Sequence, residues 1–198
     1  MNQDSNRVTE TKQKIKKAFL SLYKEKRIEK ISIKEITDKA GVNRGTFYAY
    51  YLDIYDLLEQ IEAEVMDTLK IELQPVISAL LCGAKLTLDV LPFKFFQQNK
   101  EILDLFFGNK ADANMISRLK KMAQGIAISN LHLKIDEDSD EGRKLQYVLE
   151  YISAGQIALI THWFKNDMAM PMPELGLLVE EINTKGALTY LIKHSSNH

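Results

Sequence analysis

The stretch Ser32 to Tyr51, SIKEITDKAGVNRGTFYAYY, leaves few folds open. Ser32 and Glu35 stand at capping-box spacing, in which a serine hydroxyl takes an orphan amide and a glutamate reaches back to the cap. Ile33, Ile36 and Ala40 then share one helical face. Gly41 falls where the chain must turn sharply, and glycine reaches positive φ without a Cβ penalty. Val42 plugs the turn and Asn43 is a competent N-cap for a second helix. That helix presents Arg44, Gly45, Thr46, Tyr48 and Tyr50, while Phe47 and Tyr51, four apart, pack inward. A short capped helix after a glycine turn, with an arginine in its first turn, suits insertion into a major groove. The spacing predicts a helix-turn-helix that binds double-stranded DNA.

Charge agrees with that expectation. Residues 1–51 hold nine lysines and three arginines against six carboxylates, a net +6, whereas the remainder holds 14 basic and 21 acidic residues, a net −7. A basic head on an acidic body fits a head that meets a polyanion. From about Thr9 to Lys26, Ile15, Ala18, Phe19, Leu22 and Tyr23 repeat as a helical stripe, with Lys12, Lys14, Lys16, Lys17 and Lys24 between them. This first helix is expected to pack under the helix-turn-helix and bring lysines near phosphates, while residues 1–8 fray. No apolar run spans a bilayer and the opening MNQDSNR is no signal peptide, so no membrane partner and a cytoplasmic, nucleoid-associated place are expected. The single cysteine, Cys82, is expected to be a small buried apolar residue.

Asp53 is a plausible N-cap for a fourth helix carrying Ile54, Leu57, Leu58, Ile61 and Val65 on one side, running to about Leu73 and stopping near Pro75. Beyond it, segments near 76–82, 86–98, 100–107, 112–134, 143–166 and 174–194 each show apolar spacing of three and four, and alternating β-branched runs are absent. The expected architecture is all-α: a three-helix helix-turn-helix head at 1–52 and a larger helical bundle at 53–198. In the loop MAMPMP, the following helix starts at or near Pro173.

Together these features resemble the TetR/AcrR family of bacterial transcription regulators. The resemblance runs from AFLSLYKEKRIEKISIKEI through TDKAGVNRGTFYAYY to DIYDLL, about the first 60 residues. The stretches FFQQNKEILDLFF and YVLEYISAGQIALITHWFKNDMAMPMPEL look like a ligand-binding C-terminal type common in Firmicutes regulators. The resemblance implies a homodimer with two DNA-reading heads. It places Arg44 and Gly45 at base edges and Lys34 at base or backbone. Thr46, Tyr48 and Tyr50 match phosphate positions, with the caps Ser32 and Asn43 beside them. Where the family usually has a lysine at the start of the fourth helix, this chain has Ile54. The family also dimerises through its last two helices. Tyr151, Ala154, Gly155, Ala158, Ile182, Leu188 and Leu191 lie on the matching segments, and the small residues allow close helix approach.

Other chemistry finds little support. The run Asp136 to Glu141 alternates aspartates, but Gly142 falls one place late for a calcium loop and Tyr147 stands where the closing glutamate belongs, so a solvated loop is expected. His132, His162, His194 and His198 make no HExxH, and no phosphate loop, GxSxG elbow or catalytic cysteine setting occurs. No catalytic residue, metal or cofactor is expected, and the chain is not expected to be an enzyme. Phe93, Phe96, Phe106, Phe107, Met115, Met122 and Trp163 are core candidates that also suit the wall of an apolar pocket for a small-molecule effector. The expectation is a dimeric repressor released from its operator by such an effector. The alternative is a DNA-binding regulator, in activator mode, controlled through its C-terminal part by a protein partner.

Overall fold

The computed structural model describes residues 2–87, 89–108 and 113–186, and among them only helices, turns and loops occur. The helices are α1 (Asn2–Glu25), α2 (Ile33–Ala40), α3 (Arg44–Tyr48), α4 (Ile54–Leu81), α5 (Phe93–Gln98), α6 (Lys100–Phe107), α7 (Ala113–Asn130), α8 (Asp140–Lys165) and α9 (Met172–Lys185), with a 3-10 turn at Ile28–Lys30. The chain is all-α. It divides into two compact units, Met1–Asp67 and Thr68–His198, the division falling within α4. The first turns of that helix bury Leu57 and Ile61 within the N-terminal unit, which therefore extends past the start of α4.

The N-terminal unit is built on the apolar stripe of α1. Ile15 and Phe19 are fully buried, as are Ile36 of α2, Phe47 of α3 and Leu57 of α4. At about 1.5–3 kcal/mol for each large side chain taken from water, this cluster decides the packing. Helix α1 begins at Asn2, ahead of the expected Thr9, because residues 2–8 hold neither glycine nor proline to stop it. Lys16 is buried too, and its ammonium is ion-paired with Glu64.

The C-terminal unit centres on an aromatic cluster. Phe96 lies 6.0 Å from both Trp163 and Phe164, Phe107 lies 5.4 Å from Phe164, and Trp163 and Phe164 are 5.3 Å apart. Such offset and edge-on contacts add to the area each ring buries. The Trp163 indole N–H donates to the Met170 carbonyl at 2.7 Å, which fastens the loop after α8 over the cluster. Gln124 of α7 donates to the Ser153 hydroxyl of α8 at 2.9 Å. Glu180 of α9 accepts the Leu86 amide at 2.9 Å.

Several boundaries differ from the expected ones. Helix α4 does not stop near Pro75 but continues through it to Leu81, and Val76, Ile77 and Leu80 beyond the proline remain partly buried. Their burial offsets the one backbone hydrogen bond that proline removes. The segment 86–98 is helical only from Phe93, after Pro92 at the cap. Cys82 is exposed, not buried, because it lies in the turn that follows α4, beside Gly83 at φ 66°. Helix α8 starts at Asp140, earlier than residue 143, because Ser139 caps it by accepting the Gly142 amide at 2.9 Å. Asp136–Asp138 are exposed, while Asp140 and Glu141 occupy the first helical turn, where negative charge is favourable.

The Ser139 cap depends on a glycine. A Cβ at Gly142 would lie 1.8 Å from the Asp136 carbonyl oxygen, a backbone atom that cannot swing aside. Gly142→Ala is expected to destabilise the chain by about 1–3 kcal/mol in urea denaturation, the range for forced overpacking; an unchanged midpoint would show that the 136–139 loop yields.

Candidate nucleic-acid interface

The outer face of the helix-turn-helix is assembled from two capped helix ends. At the start of α2 the Ser32 amide and hydroxyl donate to Glu35 Oε2 at 2.9 and 2.8 Å, and the Glu35 amide donates to Ser32 Oγ at 3.3 Å. The capping box is complete. Lys26 also bonds the Glu35 carboxylate, and this contact, then the Ser32 amide and hydroxyl, pulls the Glu35 pKa down to about 2. Gly41 ends α2 in the left-handed region at φ 67°, and the Val42 amide donates back to the Thr37 carbonyl at 3.0 Å. Asn43 Oδ1 then accepts the Thr46 amide at 2.7 Å and the Thr46 hydroxyl at 3.0 Å. A Cβ on Gly45 would press to 3.2 Å from that same oxygen, so the glycine leaves room for the cap.

These contacts sort the expected DNA-facing residues. Arg44, Gly45, Lys34 and Tyr48 are exposed on the helix-turn-helix, while Phe47 is buried and holds α3 down. Tyr50 is half-buried, with the Lys12 ammonium 5.5 Å from its ring centroid. Ser32, Asn43 and Thr46 spend their polar side-chain atoms on the caps and act first as structural elements. Lys16 is tied to Glu64 and Lys26 to Glu35.

The start of α4 is held by two carboxylates. Asp53 Oδ1 accepts the Tyr55 and Asp56 amides at 2.8 and 2.9 Å, and Asp56 Oδ2 accepts the Leu52 amide at 2.8 Å. The Leu52 amide, and after it the Gln60 side chain, hold the Asp56 carboxyl below its ordinary range. Asp56, three residues after the cap, was legible as a first-turn acid; its reach back to Leu52 was not. Ile54 is half-buried beside them. The Tyr51 hydroxyl is buried with no hydrogen-bond partner among the described residues, and burial, with Glu64 and Asp56 adding, pushes its pKa up to about 12.

In the C-terminal unit, Phe96, Phe106, Phe107, Met115 and Trp163 are buried, Met122 is partly buried and Phe93 is half-exposed at the surface. A groove of about 690 Å³ runs instead between α7 and α8, along Ile116, Lys120, Ile157, Thr161, His162 and Lys165. Tyr151, Ala154, Gly155 and Ala158 lie exposed on α8, and Ile182 is partly buried on α9. Leu188 and Leu191, like His194 and His198, lie outside the described residues. Among the described residues no cluster of metal-ligating side chains occurs, and no helix is long and apolar enough to cross a membrane.

Residues 91–184 match the family model TetR_C_8, described as a transcriptional regulator C-terminal region. The structure is similar to a TetR transcriptional regulator from Streptococcus agalactiae 2603V, with a TM-score of 0.62 and 18% identity over 91% of this chain and 97% of that one. Over residues 91–184, and in its fold, the chain is similar to TetR-type regulators. The structure also shares its fold with the dihydroxyacetone kinase operon activator DhaS, at a TM-score of 0.54 and 19% identity over 92% of this chain and 95% of that one. Over 55 residues it is 38% identical to the uncharacterized HTH-type transcriptional regulator YxbF of Bacillus subtilis (strain 168), which covers 28% of this chain and 14% of the relative.

Two measurements check the capped geometry. Ser32→Ala is expected to cost about 1 kcal/mol of stability, as loss of an N-cap does. The Glu35 carboxyl, followed by NMR, is expected to titrate near 2. Because folding depresses this pKa, its stabilising effect is complete above the ordinary value of 4.5 and fades as the pH falls toward 2. A midpoint at 4.5 would mean that the box and its lysine do not persist in solution.

Proposed function

We infer that the protein is a homodimeric regulator whose α3 enters the major groove of an operator, and that it acts as a repressor. The observation behind the reading is the exposed Arg44, standing in the first turn of a helix whose other end is pinned by buried Phe47. An arginine so placed pairs bidentately with guanine O6 and N7. Dimerisation is supported by the run of exposed apolar side chains on α8, Tyr147, Val148, Tyr151 and Ile152, which continues into Ala154, Gly155 and Ala158. A two-fold interface must be self-complementary, and small residues let such a helix meet its own copy closely. A signal that prefers one of two body conformations then shifts the population and with it the spacing of the heads.

Control by a protein partner, in activator mode, is the second reading. It is favoured by the way the aromatic residues pack on one another at 5.3–6.0 Å, and by the shared fold with DhaS, an operon activator. In a transcription assay on the bound promoter, loss of the protein raises expression under the repressor reading and lowers it under the activator reading.

Arg44→Ala is expected to cost about 1–3 kcal/mol of binding, lost mainly at one base pair of the operator. Equal loss on every duplex would reduce Arg44 to a phosphate contact. Tyr151→Glu is expected to convert the dimer to monomers in sedimentation analysis, since an unpaired charge at a desolvated interface is strongly unfavourable; an unaltered dimer would place the interface elsewhere.

A further inference from the structure

We propose that Lys12 and Tyr50 form a single phosphate-holding unit, in which the Tyr50 ring seats the Lys12 ammonium where a DNA backbone phosphate meets it. The proposal rests on the DNA-binding reading above and adds to it a residue of α1. The ammonium lies 5.5 Å from the ring centroid, within cation–π range. The ring occupies one side of the ammonium, so N–H donors remain for phosphate oxygens, and the tyrosine hydroxyl is a further donor at the ring's far end.

The surroundings favour this pair over its neighbours. Lys16 is buried against Glu64 and Lys26 is bonded to Glu35, so neither ammonium is free to neutralise a phosphate without giving up its carboxylate. Lys14 and Lys17 are exposed on α1 and would have to be immobilised on binding. Lys12 is only partly exposed and is already localised by the ring, so less side-chain freedom is lost when it engages an anion. The other natural anion site nearby is the N-terminus of α4, whose free amides would attract phosphate. There the Leu52, Tyr55 and Asp56 amides already donate to the carboxylates of Asp53 and Asp56, which close the site and repel a second anion. A phosphodiester approaching the end of α3 is thus turned away at α4 and met at Lys12 and Tyr50.

A phosphate contact carries no sequence information, so a short random-sequence duplex is sufficient as the probe, with the selected operator beside it. Binding of the full-length protein is measured against salt for wild type, Lys12→Ala, Lys12→Arg, Tyr50→Leu, and Lys12→Ala combined with Tyr50→Leu. Loss of one phosphate contact is expected to flatten the plot of log affinity against log salt by about 0.9 in Lys12→Ala, with the same fold-loss on both duplexes. Lys12→Arg is expected to restore the slope, and Lys12→Ala to matter less once Tyr50→Leu has removed the seat. A wild-type slope in Lys12→Ala would overturn the proposal, and an undiminished Lys12 effect in the Tyr50→Leu background would overturn the seat. Those results leave the DNA-binding reading standing as long as Arg44→Ala still weakens operator binding. A wild-type protein with no affinity for either duplex at low salt overturns both.

Discussion

A helix of five residues does not hold itself together in water, because nucleation costs more than so few hydrogen bonds return. Helix α3 exists because Asn43 satisfies its first amides and because Phe47 is buried against the unit beneath it. Everything that faces outward from the head depends on this arrangement. Arg44 can project because the residue three further on is anchored, and Gly45 has no side chain because a Cβ would crowd the capping oxygen. The exposed face of α3 is therefore a property of the core below it, and a mutation in Phe47 would displace Arg44 without altering any exposed residue.

The electrostatics of the head follow a similar economy. Its positive charge is not spread freely: Lys16 and Lys26 are paired with carboxylates, and the two aspartates at the start of α4 are turned inward onto backbone amides. What remains exposed lies on Lys34, Lys39 and Arg44, on Arg27 and Lys30 ahead of α2, and on Arg7 and the outer lysines of α1. The net charge of the segment overstates the field available to a phosphate backbone, and the distribution of partners corrects it.

The head was legible in the sequence because its signals are local. Ser32 with Glu35, Gly41, and Asn43 act on amides within a few residues, so spacing alone indicates the geometry. The inward pair Phe47 and Tyr51, with ring centroids 5.5 Å apart, follows from a separation of four on a helix and its continuation. The body was less legible because its decisions are made by contacts distant in sequence. The continuation of α4 through Pro75 depends on what half-buries Val76 and Ile77, and no local rule contains that information. The exposure of Cys82 follows from where that helix ends. Phe93, spaced like its neighbours Phe95 and Phe96, lies half-exposed while Phe96 enters the aromatic cluster. The Lys12–Tyr50 contact joins residues far apart in the chain and shows no pattern in either segment.

The central claim is that two copies of this head read one duplex together. Footprinting of the purified protein on genomic fragments tests it directly. The account predicts a protected palindrome whose half-sites lie one helical turn apart, or a multiple of it, with affinity that falls steeply as salt is raised. Weak binding that is equal on every fragment, with no protected boundary, would contradict it.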